Sequence, residues 1–287
     1  MKPAAFEYSR PDTLEAAIAL LAQGGPDAKV LAGGQSLVPM MNLRLAQPRL
    51  IVDVNRIPGH DYIRRDRDEL VIGFLARHED VKRSEVVGEA CPLIAAAYEH
   101  VAHGTIRNRG TLCGNLCHAD PASEMPAVML ATEATMELQG PAGLRHVPAA
   151  QFFLGLYETA LASDEMLVRL RIPVAPKGQG WGFHEVSTRK GDFAFVCVGA
   201  LLTLKAGRIS TAKVAAAGIG TRAVRLDAVE RWLIGQEANQ QTFQRAGREA
   251  SSSVVPSGDS MVPAEYRSEL LEILTRRALA DAASRSN

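Results

Sequence analysis

Leu31-Ala-Gly-Gly-Gln-Ser-Leu37 decides how this chain is read. It continues a short apolar run, Lys29-Val-Leu-Ala32, and opens a helical stretch from Leu37 to Leu45. Two adjacent glycines between a strand and a helix permit positive φ. They also let backbone N–H groups approach a ligand with no Cβ in the way. Consecutive N–H groups beside a helix start form an anion site, and Gln35 and Ser36 add side-chain donors. A pyrophosphate fits such a loop, although an isolated Gly-Gly is more often an ordinary turn. The spacing is not G-x-G-x-x-G, so a Rossmann dinucleotide fold is not supported.

Working outward, Asp12 and Glu15 have capping-box spacing, and Leu14, Ala17, Ile18 and Leu21 follow at helical spacing. Gly24-Gly25 ends that helix, and Leu50-Ile-Val-Asp-Val54 closes a compact α/β unit over residues 1–58. A second unit, 59–175, starts with the apolar run Glu69–Gly73 and carries a helix at Pro92–His100. Mixed strands and a short helix fill Ala134–Pro173. The Pro-, Gly- and Lys-rich stretch Pro173–Gly180 is the linker candidate. Beyond it, 176–287 reads as strands at Phe193–Leu204 and Thr211–Gly218, then a mostly helical tail from Val224 to Ala283.

The second unit holds another glycine-punctuated polar stretch, Thr105-Ile-Arg-Asn-Arg-Gly-Thr-Leu-Cys-Gly-Asn115, running into Leu116-Cys-His-Ala-Asp-Pro-Ala-Ser-Glu124. It is expected as part of a long turn-rich loop, Ala102–Pro121. Loops of this composition tend to carry function. Asp120 and Glu124 can accept hydrogen bonds from sugar hydroxyls, and Asp120 before Pro121 also suits a helix N-cap. Arg107 and Arg109 suit phosphates or a partner, or equally a solvated surface pair.

Together the two loops resemble the FAD-binding medium subunit of the xanthine dehydrogenase and carbon monoxide dehydrogenase family of molybdenum hydroxylases. The resemblance rests on VLAGGQSLVPMMNLRLA (Val30–Ala46) and IRNRGTLCGNLCHADPASEMPA (Ile106–Ala127). ETALASDEMLVRLRIP (Glu158–Pro173) and RKGDFAFVCVGALL (Arg189–Leu202) support it. It implies an α+β chain. Two small α/β subdomains would clasp FAD in a PCMH/VAO-type fold, followed by a C-terminal α+β domain of antiparallel sheet and helices. It further implies that Ala32 to Ser36, with Gly33, Gly34 and Gln35 between them, and Thr111 to Asn115, with Cys113 and Gly114 among them, cradle the pyrophosphate, and that Leu31 and Leu37 also contact the cofactor. Asp120 or Glu124 would bind ribityl or ribose hydroxyls, and Leu167 would lie by the isoalloxazine. Val101 and Glu185 occupy further contact positions, and Asp192 belongs to a block near the flavin.

The same resemblance implies noncovalent FAD and partners that hold [2Fe–2S] clusters and a molybdopterin cofactor. The small and large partner subunits would join it in an (αβγ)2 heterohexamer. Electrons would pass through FAD to an external acceptor. One departure stands out: Cys113 takes the place of a family glycine, and its Cβ would be strained if that backbone needed positive φ.

Other readings fare worse. Cys113, Cys117, His118 and His103 lack the paired C-x-x-C knuckles of structural zinc, and the four cysteines offer no cluster motif. Small thiols are expected instead, with Cys91 and Cys197 in the core. No G-x-S-x-G elbow marks a hydrolase. A self-standing FAD oxidoreductase, or a noncatalytic assembly factor that lost the cofactor, remains as an alternative. Composition fits a folded globular chain: 287 residues, 47% hydrophobic, with 32 basic and 32 acidic side chains. A zero net charge gives no basic excess for nucleic acid. No signal-peptide pattern or run of the roughly 20 apolar residues that cross a bilayer appears. A cytoplasmic location is therefore expected.

Overall fold

The computed structural model describes residues 2–286. It contains three sheets and a short hairpin. The first sheet is parallel, with Leu50–Asp53 between Glu7–Ser9 and Ala28–Leu31. The helix Leu14–Gly24 covers it with Leu14, Ala17, Ile18 and Leu21, the face read from the sequence. Its cap is Thr13, which accepts from the Ala16 N–H at 3.2 Å, rather than Asp12. Gly25, at φ 56, closes the other end. The helix after the first glycine loop spans Leu37–Asn42, shorter than expected. Arg44 turns left-handed at φ 60, and the Leu45 N–H reaches back to Met40 O at 2.9 Å. That pattern satisfies the last carbonyls and stops the helix.

The second sheet is antiparallel, in the order Ile63–Asp66, Glu69–Gly73, Met166–Pro173, Thr135–Gly140, Gly143–Pro148. The stretch expected as a long loop instead contains two short helices, Gly104–Arg107 and Leu112–His118. Thr111 makes the second possible: its hydroxyl accepts from the Gly114 N–H at 3.1 Å. The helix Glu124–Ala131 is buried on every side. It packs against the strands Ala194–Lys205 and Arg208–Ala217 of the third sheet.

That third sheet is antiparallel, with Gln179–Ser187, Ala194–Lys205, Arg208–Ala217 and Val224–Arg225 in order. It is buried on both faces. Cys197 and Leu201 join the core shared with the first two units. Val196, Val198, Ala200 and Leu202 face a second core built with the helices Asp227–Leu233, Gln240–Ser253 and Ala264–Ser284. Gln179–Ser187 is a strand that the linker reading overlooked. Its glycines serve close packing: a Cβ on Gly180 would stand 1.9 Å from Ala282 O, and one on Gly182 would stand 2.1 Å from Ala278 O. The long helix therefore lies directly on this strand's backbone.

Gly182→Val should force that helix off the sheet. We expect a loss of about 1–3 kcal/mol in stability, the usual range for overpacking a core. Thermal and denaturant unfolding would measure it, and an unchanged Tm would contradict the packing.

Candidate functional site

The two glycine loops meet. A Cβ on Gly33 would stand 2.5 Å from Arg109 O and 2.6 Å from Gly110 Cα, so only glycine allows this contact. Gly34 sits at φ 71, in the region glycine favours. Two residues that the sequence did not single out fasten the seam. Asn55 Nδ2 donates to Ala32 O at 2.8 Å and to Leu31 O at 3.2 Å. Arg77 donates to Asn55 Oδ1 and to Arg109 O, both at 2.7 Å. Asn55 lies just beyond the strand Leu50–Asp53, Arg77 is at the N-cap of the helix His78–Arg83, and neither belongs to a motif. Only their placement between the loops reveals them.

His78 supports the second loop from below. Its N–H donates to Gly110 O at 3.0 Å, and Nδ1 lies 2.9 Å from the Tyr98 hydroxyl. Burial, aided by the charge of Arg107, pushes the His78 pKa down to about 4, so the ring is neutral at pH 7.

Backbone donors are available on this surface. Among the described residues, the N–H groups of Gly33, Gly34, Gln35 and Ser36 donate to no protein acceptor, nor do those of Thr111 and Cys113. Leu31 through Leu37 are all half-buried. Unpaired N–H groups at this depth need an acceptor from water or a ligand. An anion fits that donor set.

Cys113 does not act as feared. It lies inside the helix Leu112–His118, outside the residues at positive φ, and is 2% exposed. Its Sγ is turned inward, 4.0 Å from Gly73 O. The cysteine therefore imposes no strain on the loop and offers it only a backbone N–H. Arg107 also departs from its expected role. Its guanidinium is spent on Glu79 at 2.7 Å and on the carbonyls of Val101 and Ala102 at 3.1 and 2.7 Å. Arg109 is exposed.

Asn115 and Ser123 exchange hydrogen bonds at 2.9 and 3.1 Å. Asp120 does not cap the following helix, whose N-cap position is Ser123. Instead Asp120 Oδ1 accepts from the Ala122 N–H at 2.9 Å, and Oδ2 accepts from the Tyr157 hydroxyl at 3.3 Å. Tyr157 in turn stacks on His118 with ring centroids 4.9 Å apart. Glu124 is 4% exposed, and burial pushes its pKa up to about 7. Val101 and Leu167 are each 3% exposed. Leu167 lies at a bulge of its strand. The C-terminal sheet closes onto the second loop: the Ala194 N–H donates to Ala122 O at 3.1 Å and that of Gly218 to Pro121 O at 2.8 Å. His103 Nε2 lies 3.7 Å from Asp192 Oδ1. Next to Asp192, Phe193 leaves its ring half exposed.

All four cysteines are free, and Cys91 and Cys197 are buried as expected. No group of three His, Cys, Asp or Glu among the described residues is placed to hold a metal. No described helix is long and apolar enough to cross a membrane.

Two glycine loops with free backbone donors meet in a seam, and an antiparallel third sheet packs beside it. Residues 4–175 match the FAD-binding domain in molybdopterin dehydrogenase, and residues 181–282 match the CO dehydrogenase flavoprotein C-terminal domain. The chain belongs to that family: it is an FAD-binding medium subunit of the carbon monoxide dehydrogenase type, part of the oxidoreductases. It is 40% identical to the caffeine dehydrogenase subunit beta of Pseudomonas sp. (strain CBB1), over 99% of this chain and 97% of the relative. It is 36% identical to the carbon monoxide dehydrogenase medium chain of Hydrogenophaga pseudoflava, over 97% of each. A carbon monoxide dehydrogenase structure from that organism superposes with a TM-score of 0.97 at 37% identity over 100% of both chains. Quinoline 2-oxidoreductase from Pseudomonas putida 86 gives 0.94 at 35% identity over 99% of both.

Gly33→Ala should open the seam and weaken FAD binding by about tenfold or more, a change of about 1.4 kcal/mol. Cys113→Ala should leave FAD affinity unchanged while lowering stability by about 1 kcal/mol, since only core volume is lost. Flavin fluorescence titration beside thermal unfolding separates the two effects, and the reverse pattern would refute the geometry.

His78 predicts a pH dependence. Its folded pKa lies below the ordinary histidine value, so the unfolded chain binds the extra proton first. Stability should fall as pH drops from about 6.5 toward 4, by at most about 1.4 kcal/mol per unit. The acid slope of denaturant unfolding should shrink in His78→Asn.

Proposed function

We propose that this subunit binds FAD noncovalently along the loop seam and relays electrons between partner-held redox centres and an external acceptor. The contact between the loops, with its free N–H groups, carries this reading. Gly33, Gly34, Gln35 and Ser36, flanked by Leu31, Ala32 and Leu37, are assigned to the pyrophosphate together with Thr111, Cys113, Gly114 and Asn115, which follow the Arg109–Gly110 contact. A pyrophosphate there would meet backbone donors from both loops, with Cys113 giving its N–H alone. Asp120 and Glu124 are assigned to sugar or ribityl hydroxyls, Leu167 to the isoalloxazine, and Val101 and Glu185 to further contacts. The chain's share of the reaction is to hold the ring in place and set its surroundings. The flavin supplies the exchange of single electrons and electron pairs.

A small [2Fe–2S] subunit and a large molybdopterin subunit are the proposed partners, in an (αβγ)2 assembly in the cytoplasm. The names of the relatives support a multi-subunit setting, since several are medium chains or lettered subunits of dehydrogenases.

The purified chain titrated with FAD should reach one flavin per chain and show flavin absorption bands. It should oxidise no substrate by itself. Flavin absent from both the isolated chain and its assembled complex would end the FAD reading, and substrate turnover by the isolated chain would end the relay reading.

A further inference from the structure

Asn55 stands between the two glycine loops, and the orientation of its amide is forced. Its Nδ2 faces three acceptors: Asp53 Oδ1 at 2.7 Å, Ala32 O at 2.8 Å and Leu31 O at 3.2 Å. Its Oδ1 faces one donor, the Arg77 guanidinium at 2.7 Å. Turned over, the amide would set oxygen against oxygens and N–H groups against a cation. So surrounded, the side chain holds one orientation.

Asp53 imposes that orientation from outside the loops. It ends the strand Leu50–Asp53, in register with Leu31 on the neighbouring strand. Its Oδ1 accepts from the backbone N–H of Asn55 at 2.9 Å as well as from Nδ2. Its Oδ2 accepts from the Tyr8 hydroxyl at 2.5 Å. Tyr8 is exposed on the edge strand Glu7–Ser9. Burial works against a charge on Asp53, but the bonds from Tyr8 and Asn55 and the charge of Arg10 outweigh it and hold the carboxyl below its ordinary pKa. The group is ionised at neutral pH and can only accept.

At the far end, Arg77 joins Asn55 Oδ1 to Arg109 O, each at 2.7 Å. Tyr8, Asp53, Asn55 and Arg77 thus form one chain of side chains from the edge of the first sheet to the second-loop carbonyl that lies against Gly33. An anion at one end of the Asn55 amide and a cation at the other lie along its dipole, so each bond strengthens the next. None of the four belongs to either apolar core. Their effect falls on the gap between the loops.

We propose that Asp53, backed by Tyr8, is a positioning residue for the cofactor: acting through Asn55 and Arg77, it sets the spacing of the two loops and with it the aim of their free N–H groups at a pyrophosphate. This rests on the FAD-binding reading above. Asp53 is not among the residues assigned to the cofactor, and its side chain bonds to neither loop. Hydrogen bonds weaken as their angles drift, so a small change in spacing lowers affinity through both loops at once.

The test titrates FAD by flavin fluorescence into the full native chain and its variants. Asp53→Ala and Asn55→Ala should each raise the dissociation constant about tenfold, and Tyr8→Phe about threefold. Asp53→Ala or Tyr8→Phe added to Asn55→Ala should bind no worse than Asn55→Ala alone, because both act through that amide. Asp53→Asn should stay within about threefold of native, since its carbonyl can accept from Asn55 and its amide can donate to the Tyr8 oxygen. Losses that multiply to about a hundredfold in the Asp53→Ala, Asn55→Ala double variant overturn the proposal while FAD binding stands. So does native affinity in Asp53→Ala, or an Asp53→Asn as weak as Asp53→Ala. Where Asp53→Ala does not fold, Tyr8→Phe, which removes one exposed hydroxyl, carries the same comparison with and without Asn55→Ala. Absence of FAD binding by the native chain, alone and in its complex, overturns the FAD reading and the proposal together.

Discussion

Everything about the site depends on one backbone contact. Gly33 lies so close to Arg109 O and Gly110 Cα that no side chain can stand between them. The two loops come from different sheets, and neither is a binding site alone. Each presents a few unpaired N–H groups, and only their approach aims both sets at one ligand. Asn55 and Arg77 hold this approach with side-chain bonds to backbone carbonyls. The carbonyls are thereby engaged within the protein, while the N–H groups of Gly33 to Ser36 have no protein acceptor among the described residues. A loop whose carbonyls are tied down in this way is preorganised for an anion.

The C-terminal unit is bound to the same seam rather than appended to it. The wholly buried helix Glu124–Ala131 is packed between the third sheet and the helices Pro92–Ala97, Leu112–His118 and Ala149–Phe152. Backbone bonds from Ala194 and Gly218 grip Pro121 and Ala122 immediately ahead of it. Glu124 therefore stands where the second loop, the buried helix and the third sheet converge. A ligand lying along the seam and past Glu124 would touch all three units, so binding and the mutual fixing of the units would be linked.

Local chemistry was legible in the sequence, and approach between distant segments was not. The helix Leu14–Gly24 showed in its apolar spacing, and both glycine loops in their composition. Thr13 displaced Asp12 as cap because the choice turns on one residue of register. The strand Gln179–Ser187 was hidden because Gly180 and Gly182 read as turn signals, whereas they make room for a helix about a hundred residues later in the chain. Cys113 looked like an intrusion into a phosphate loop because a motif reading assigns every residue to the ligand. In the helix its side chain belongs to the core, and only its N–H belongs to the loop. Asn55 and Arg77 carried no signal, since each acts across a distance in sequence that no spacing rule covers.

The electrostatics of the site follow from the same economy. The chain has no net charge, and the inward-turned arginines are already committed: Arg107 to Glu79 and two carbonyls, Arg77 to Asn55 and Arg109 O. A pyrophosphate on this seam would thus be met by N–H dipoles more than by cations. Dipoles orient an anion without cancelling its charge. Burial pushes both Glu124 and Glu185 up from the ordinary carboxylate range. Free amides on the loops can thus recognise an anion largely through backbone dipoles.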